Sequence, residues 1–128
     1  MGIYLSEKNL TESDLVVEYV LTLQFEELET LSVESIAGEL GLSRTRLWRS
    51  FKKEKKITIE EYIFRIKINQ AAFLLQEEPG LSIREIAEKT GYYCYDYFIR
   101  VFREYFGASP GKYKELKNSA DKDKKRQK

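Results

Sequence analysis

At 128 residues, 34% charged and 42% hydrophobic, the chain suits one globular domain or two small ones, and no apolar run approaches the roughly 20 residues that span a bilayer. With no histidine and a single cysteine, Cys94, it cannot form an internal disulfide and lacks the usual metal sites and histidine-based catalysis; no catalytic residue, metal or cofactor is expected, and the chain is not expected to be an enzyme. Net charge is +1, yet residues 1–42 carry nine acids against Lys8 while residues 43–67 carry nine bases against Glu54, Glu60 and Glu61, which suits either one surface for a polyanion and another that avoids it, or ordinary solvated helix faces.

The N-terminal extension, 1–11, lacks the basic-then-apolar order of a signal peptide, so a cytoplasmic protein is expected. Residues 12–28 place Leu15, Val16, Tyr19, Val20 and Leu23 at helical spacing and predict an amphipathic leading helix. Self-comparison then finds a repeat: LSVESIAGELGL (31–42) matches LSIREIAEKTGY (81–92) at an offset of 50, and RSFKKEKKITIEEY (49–62) matches RVFREYFGASPGKY (100–113) at an offset of 51. The second copy therefore has one extra residue in its middle turn, around Tyr93 to Asp96.

Each copy predicts two short helices and a tight turn. In the first, Ser32 is a candidate N-cap, Ile36, Ala37 and Leu40 form the apolar side, Gly41 supplies a left-handed C-cap, and Ser43 caps the second helix. Ala37 and Ala87 are small where two helices approach closely, and Ala-x-x-x-Gly followed by a short helix is a helix-turn-helix pattern. The organisation expected is a first subdomain over 12–57, a linker helix over 58–77 about 27 Å long and stopped by Pro79 and Gly80, a second subdomain over 78–116, and a disordered basic tail, 117–128.

Helical spacing also sorts the second helix of each copy into rows. Leu47, Ser50 and Phe51 face inward in the first, and Phe98, Val101, Phe102 and Tyr105 in the second, so most of the aromatics in GYYCYDYFIRVFREYFGASP are expected in a core. The outward rows correspond: Thr45 with Asp96, Trp48 with Ile99, Arg49 with Arg100, Lys52 with Arg103. Helices that present arginine in this way suit the major groove of double-stranded DNA, where a guanidinium can bond guanine O6 and N7 together. Against that, Arg49 and Arg100 could each be solvated or paired to Glu54 or Glu104. Trp48 either covers a thymine methyl or packs on the leading helix or linker, Asp96 either accepts from cytosine N4 or caps its helix, and Cys94 is expected as a partly buried small hydrophobe. Phosphate contact is expected of Ser43, Arg44, Arg46, Lys52, Lys53, Arg103, Lys112 and Lys114, with Lys55 and Lys56 in the same basic run.

The stretches IAGELGLSRTRLWRSFKK and IREIAEKTGYYCYDYFIRVFREYFGASPGKYK resemble the two helix-turn-helix units of the AraC/XylS family of bacterial transcription regulators, over about residues 12–116. The resemblance implies an all-α fold of about seven helices, two helix-turn-helix subdomains joined by a long central helix, and sequence-specific DNA binding with transcription regulation through adjacent major grooves. It carries base contact onto Thr45, Trp48 and Arg49 and onto Asp96, Ile99 and Arg100. The chain departs from the family pattern at Lys56, where glycine is usual, at Ile59, where proline is frequent, at Tyr93 and Cys94 in the turn, at Asp96 and Ile99, where polar readers are common, and at Lys67, where arginine is usual. A monomer is expected, and the acidic leading region offers a second reading, a protein-interaction module that docks RNA polymerase or a sensor domain outside this chain.

Overall fold

Six hydroxyls begin six helices in the same way. Thr11, Ser32, Ser43, Thr58, Ser82 and Ser109 each accept a bond from the backbone N–H three residues on, at 3.0–3.2 Å, which satisfies a donor that the first helical turn leaves open. In the computed structural model, which describes residues 10–116, they precede α1 (Glu12–Leu21), α2 (Val33–Leu40), α3 (Arg44–Lys55), α4 (Ile59–Glu77), α5 (Ile83–Lys89) and a last helix, α7, over 110–116. Only α6 (Tyr95–Phe106) starts without such a bond, from Cys94. A 3₁₀ turn (Phe25–Thr30) joins α1 to α2, and every regular element among the described residues is helical, as the resemblance implied. Apart from residues 10 and 11, the expected N-terminal extension lies outside the described residues, as does the expected disordered tail, 117–128.

The chain forms two compact units that divide within α4, between Arg65 and Ile66. In the first, α1 lies against α2 and α3, and Val16, Ile36, Leu47, Phe51 and Ile59 are fully buried between them. Acids at the start of α1 tie it to α3: Arg46 Nε bonds Glu12 Oε2 at 2.7 Å, Ser50 Oγ donates to Glu12 Oε1 at 2.5 Å, and Lys55 Nζ donates to Asp14 Oδ1 at 3.0 Å. The Lys55 ammonium, with the backbone N–H and hydroxyl of Thr11, holds the Asp14 carboxyl below its ordinary 3.8. The expected leading helix is shorter than 12–28 because Thr22 ends it: its N–H and hydroxyl both turn back to the Tyr19 carbonyl, and Gln24 and Glu27 start the 3₁₀ turn with their own reciprocal bonds.

In the second unit, the rest of α4 packs with α5, α6 and α7 around Ile68, Ala71, Leu75, Ile86, Phe98 and Phe102. Ring contacts run from Tyr92 to Phe98 to Phe102, and Phe102 also meets Phe106 at 4.5 Å and Tyr113 at 5.4 Å. Tyr105, expected inward, is instead 42% exposed. Gly107 turns the chain back at φ 78°, and α7, which buries Pro110 at its first position, brings Tyr113 over Phe102 and Phe106, so Phe106 takes the half-buried place.

The two helix-turn-helix turns superimpose in their hydrogen bonds up to the inserted residue. Gly41 (φ 68°) lets Leu42 N–H reach the Ala37 carbonyl at 3.0 Å, and Gly91 (φ 90°) lets Tyr92 N–H reach Ala87 at 2.8 Å. Tyr93 is then the additional residue, and Cys94 stands where Ser43 stands in the first copy. Cys94 is exposed rather than partly buried, as Ser43 is at the equivalent N-cap position of the first copy. Asp96 is not the cap, since α6 begins at Tyr95 and leaves it inside the first turn.

The departure at Lys56 does not reroute the chain. Lys56 adopts φ 68° and its N–H reaches the Lys52 carbonyl at 3.0 Å, as Gly107 does with Arg103 at 2.8 Å. A lysine there has the steric penalty that glycine escapes. Lys56→Gly should therefore raise stability by about 0.5–1 kcal/mol, read as a higher midpoint in urea. A lower midpoint would mean that the side chain contributes more than the strain costs.

Candidate nucleic-acid interface

Capping and packing together aim the outward rows. Ser43 fixes where α3 starts, burial of Leu47 and Phe51 fixes its rotation, and Thr45, Trp48, Arg49 and Lys52 are thereby exposed. The same logic on α6, with Phe98, Val101 and Phe102 buried, exposes Asp96, Arg100 and Arg103 and leaves Ile99 half-buried. An open recess of about 240 Å³ over α3 is lined by Arg44, Thr45, Trp48, Arg49 and Glu60. Over α6 a second recess, of about 810 Å³, is lined by Tyr95, Asp96, Ile99, Arg100, Arg103 and Glu104. Four of the positions that line the first, 44, 45, 48 and 49, line the second one repeat later, at 95, 96, 99 and 100.

The two arginines differ in what already holds them. Arg49 has no hydrogen bond or ion pair among the described residues, so its fork stands open to solvent. Arg100 Nη1 lies 3.7 Å from Glu104 Oε1, and its guanidinium sits 5.1 Å from the centre of the Tyr97 ring. That geometry meets the pairing with Glu104 that the sequence left open for Arg100; no such pairing with Glu54 forms at Arg49.

Trp48 is 38% exposed, and its indole N–H donates to Glu60 Oε1 at 3.0 Å, on the first turn of α4. It therefore leans on the linker helix while keeping one face to solvent. Neither Glu60 nor Tyr97 was singled out as a site residue from the sequence. Glu60 lies twelve residues beyond Trp48 across a turn, so helical periodicity carries no signal of that contact.

The expected phosphate contacts divide as well. Ser43, Lys52, Lys53, Arg103 and Lys112 are exposed, and Lys53 and Arg103 have no ion pair or side-chain hydrogen bond among the described residues. Arg44 Nε pairs with Glu34 at 2.9 Å and its Nη2 with Glu60 at 3.5 Å. Arg46 is taken by Glu12, and Lys114 Nζ donates to the Pro79 carbonyl at 3.0 Å, so for both a phosphate would have to replace an existing partner. Among the described residues no group of three or more acids and cysteines could hold a metal ion, and no helix is long and apolar enough to cross a membrane.

A family described as "Helix-turn-helix domain" matches residues 36–116. The Msm operon regulatory protein of Streptococcus mutans is 34% identical over 117 residues, which are 91% of this chain and 42% of that protein. The probable transcription factor PqrA of Proteus vulgaris is 34% identical over 95 residues, 74% of this chain and 77% of that one. Among solved structures, the C-terminal domain of AraT, a response regulator from Geobacillus stearothermophilus, matches with a TM-score of 0.71 at 30% identity, over 85% of this chain and 88% of that one. The chain thus spans under half the length of the first of these relatives.

Proposed function

The chain belongs to the AraC/XylS family of transcriptional regulators and carries its tandem helix-turn-helix DNA-binding domain, and from that premise we propose that α3 and α6 each enter a major groove of one duplex. Thr45, Trp48 and Arg49 read bases from α3, with Arg49 the principal reader because its two-pronged donor fork is uncommitted and matches the paired acceptors of guanine. Asp96, Ile99 and Arg100 read from α6 less sharply, since Ile99 offers no hydrogen bond and Arg100 must first leave Glu104. Ser43, Lys52, Lys53, Arg103 and Lys112 position the domain on phosphates, and Arg44, Arg46 and Lys114 join them only by exchanging their present partners.

The observation that carries this reading is the coincidence of two open recesses lined by corresponding positions of an internal repeat. Of the four corresponding pairs only Arg49 and Arg100 keep their residue type, and both stand exposed. Of the acids in the leading region that suggested a docking surface, Glu12 and Asp14 are spent within the first unit on Arg46, Ser50 and Lys55. A separate sensor domain is proposed as a further partner because the curated relative from Streptococcus mutans is more than twice as long as the region it shares, and RNA polymerase as the partner through which a DNA-bound regulator acts. A cytoplasmic place follows from DNA as the ligand.

Selection of bound duplexes from a random pool tests the proposal. Two short enriched blocks centred about one helical turn, 10–10.5 base pairs, apart are expected, with affinity falling steeply as salt rises. Recovery of no enriched sequence, or retention indifferent to salt, would overturn it.

A further inference from the structure

We propose that Glu60 is a positioning residue that sharpens discrimination between the target sequence and bulk DNA; the inference rests on α3 reading a major groove. One carboxylate oxygen accepts from the Trp48 indole at 3.0 Å and the other lies 3.5 Å from Arg44 Nη2, whose Nε is held in turn by Glu34 at 2.9 Å. Glu60 also lines the recess formed by Arg44, Thr45, Trp48 and Arg49, so a negative charge stands at the edge of the reading surface itself.

Two effects follow from that placement, and only the first discriminates between sequences. The bond to Trp48 holds a large, half-exposed ring in one orientation before DNA arrives, so less side-chain freedom is lost when the ring meets its correct base step. The charge repels the phosphates of every sequence alike and occupies Arg44, which would otherwise serve any duplex. The first effect strengthens specific binding alone, while the second weakens specific and non-specific binding by about the same factor. Selectivity, the ratio of the two, therefore gains from the held ring, and the charge lowers the affinity for bulk DNA without changing that ratio.

The full chain, a duplex recovered by selection and a random-sequence duplex of equal length separate the two effects. Trp48 is the only tryptophan, so its emission and anisotropy report on the Glu60 bond directly. Glu60→Ala should red-shift that emission and lower its anisotropy, tighten the random duplex about two- to fivefold and lower the ratio of selected to random affinity about three- to tenfold. Glu60→Gln keeps an acceptor for the indole and removes the charge. It should leave the emission in place and tighten both duplexes by a similar factor, so that the ratio stays near that of the parent. Parallel loss of both affinities in Glu60→Ala, or a selectivity ratio in that variant that stays within about twofold of the parent, overturns the proposal. Failure of the parent chain to prefer any duplex would instead sink the DNA-reading proposal on which it stands.

Discussion

Phe102→Ala should remove about 3–5 kcal/mol of stability, the largest loss expected of any single truncation in the second unit. Phe102 is fully buried and its ring meets Phe98, Phe106 and Tyr113, which belong to α6 and to the returning α7. Deleting it takes away the transfer energy of one aromatic side chain and opens a void that three stiff rings cannot close by rotamer changes. Since small domains have only about 5–15 kcal/mol in total, much of the helical signal should be lost at a denaturant concentration that leaves the parent folded. Far-ultraviolet dichroism in urea gives the measurement. A shift worth less than about 1 kcal/mol would mean that the second unit is not organised around this ring.

Arg49→Ala should cost about 1–3 kcal/mol of affinity for a selected duplex, roughly five- to 150-fold, and much less for a random one. The difference matters more than the loss, because a phosphate contact would weaken both to the same extent. Arg49→Lys should not restore the discrimination, since an ammonium offers a point charge where the guanidinium offers two parallel donors. Arg100→Ala should cost less than Arg49→Ala. Part of what Arg100 could give to DNA is offset by its contacts to Glu104 and Tyr97, although an exposed pair of that kind is worth only about 0–1 kcal/mol. Equal binding of the selected duplex by parent and Arg49→Ala, in a competition titration, would remove Arg49 from the reading row.

The structure departs from the sequence reading where a distant part of the chain intervenes. Tyr105 stands at the right interval from Phe98 to face inward, and helical arithmetic alone puts it there. It is displaced because the turn at Gly107 returns α7 over the other side of α6, where Phe106 and Tyr113 meet. Cys94 and Asp96 are the exception, misplaced although the repeat itself places them. The offset of 51 carries the start of α3 at Arg44 onto Tyr95, where α6 begins, and so puts Cys94 at the exposed cap and Asp96 inside the first turn.

By itself the sequence determined the repeat, the hydroxyl caps at Ser32 and Ser43, the left-handed turn at Gly41, the buried faces of α3 and α6 and, through them, the exposed arginines. All of these are local: they follow from backbone dihedrals, from bonds spanning three or four residues, and from a period of 3.6. Only the tertiary structure decided which exposed bases remain available. Trp48 meets Glu60 across 12 residues, Ser50 meets Glu12 across 38, and Lys55 meets Asp14 across 41. No periodicity spans such separations, and charged side chains on neighbouring helices choose among many partners of similar energy, so packing alone settles the choice.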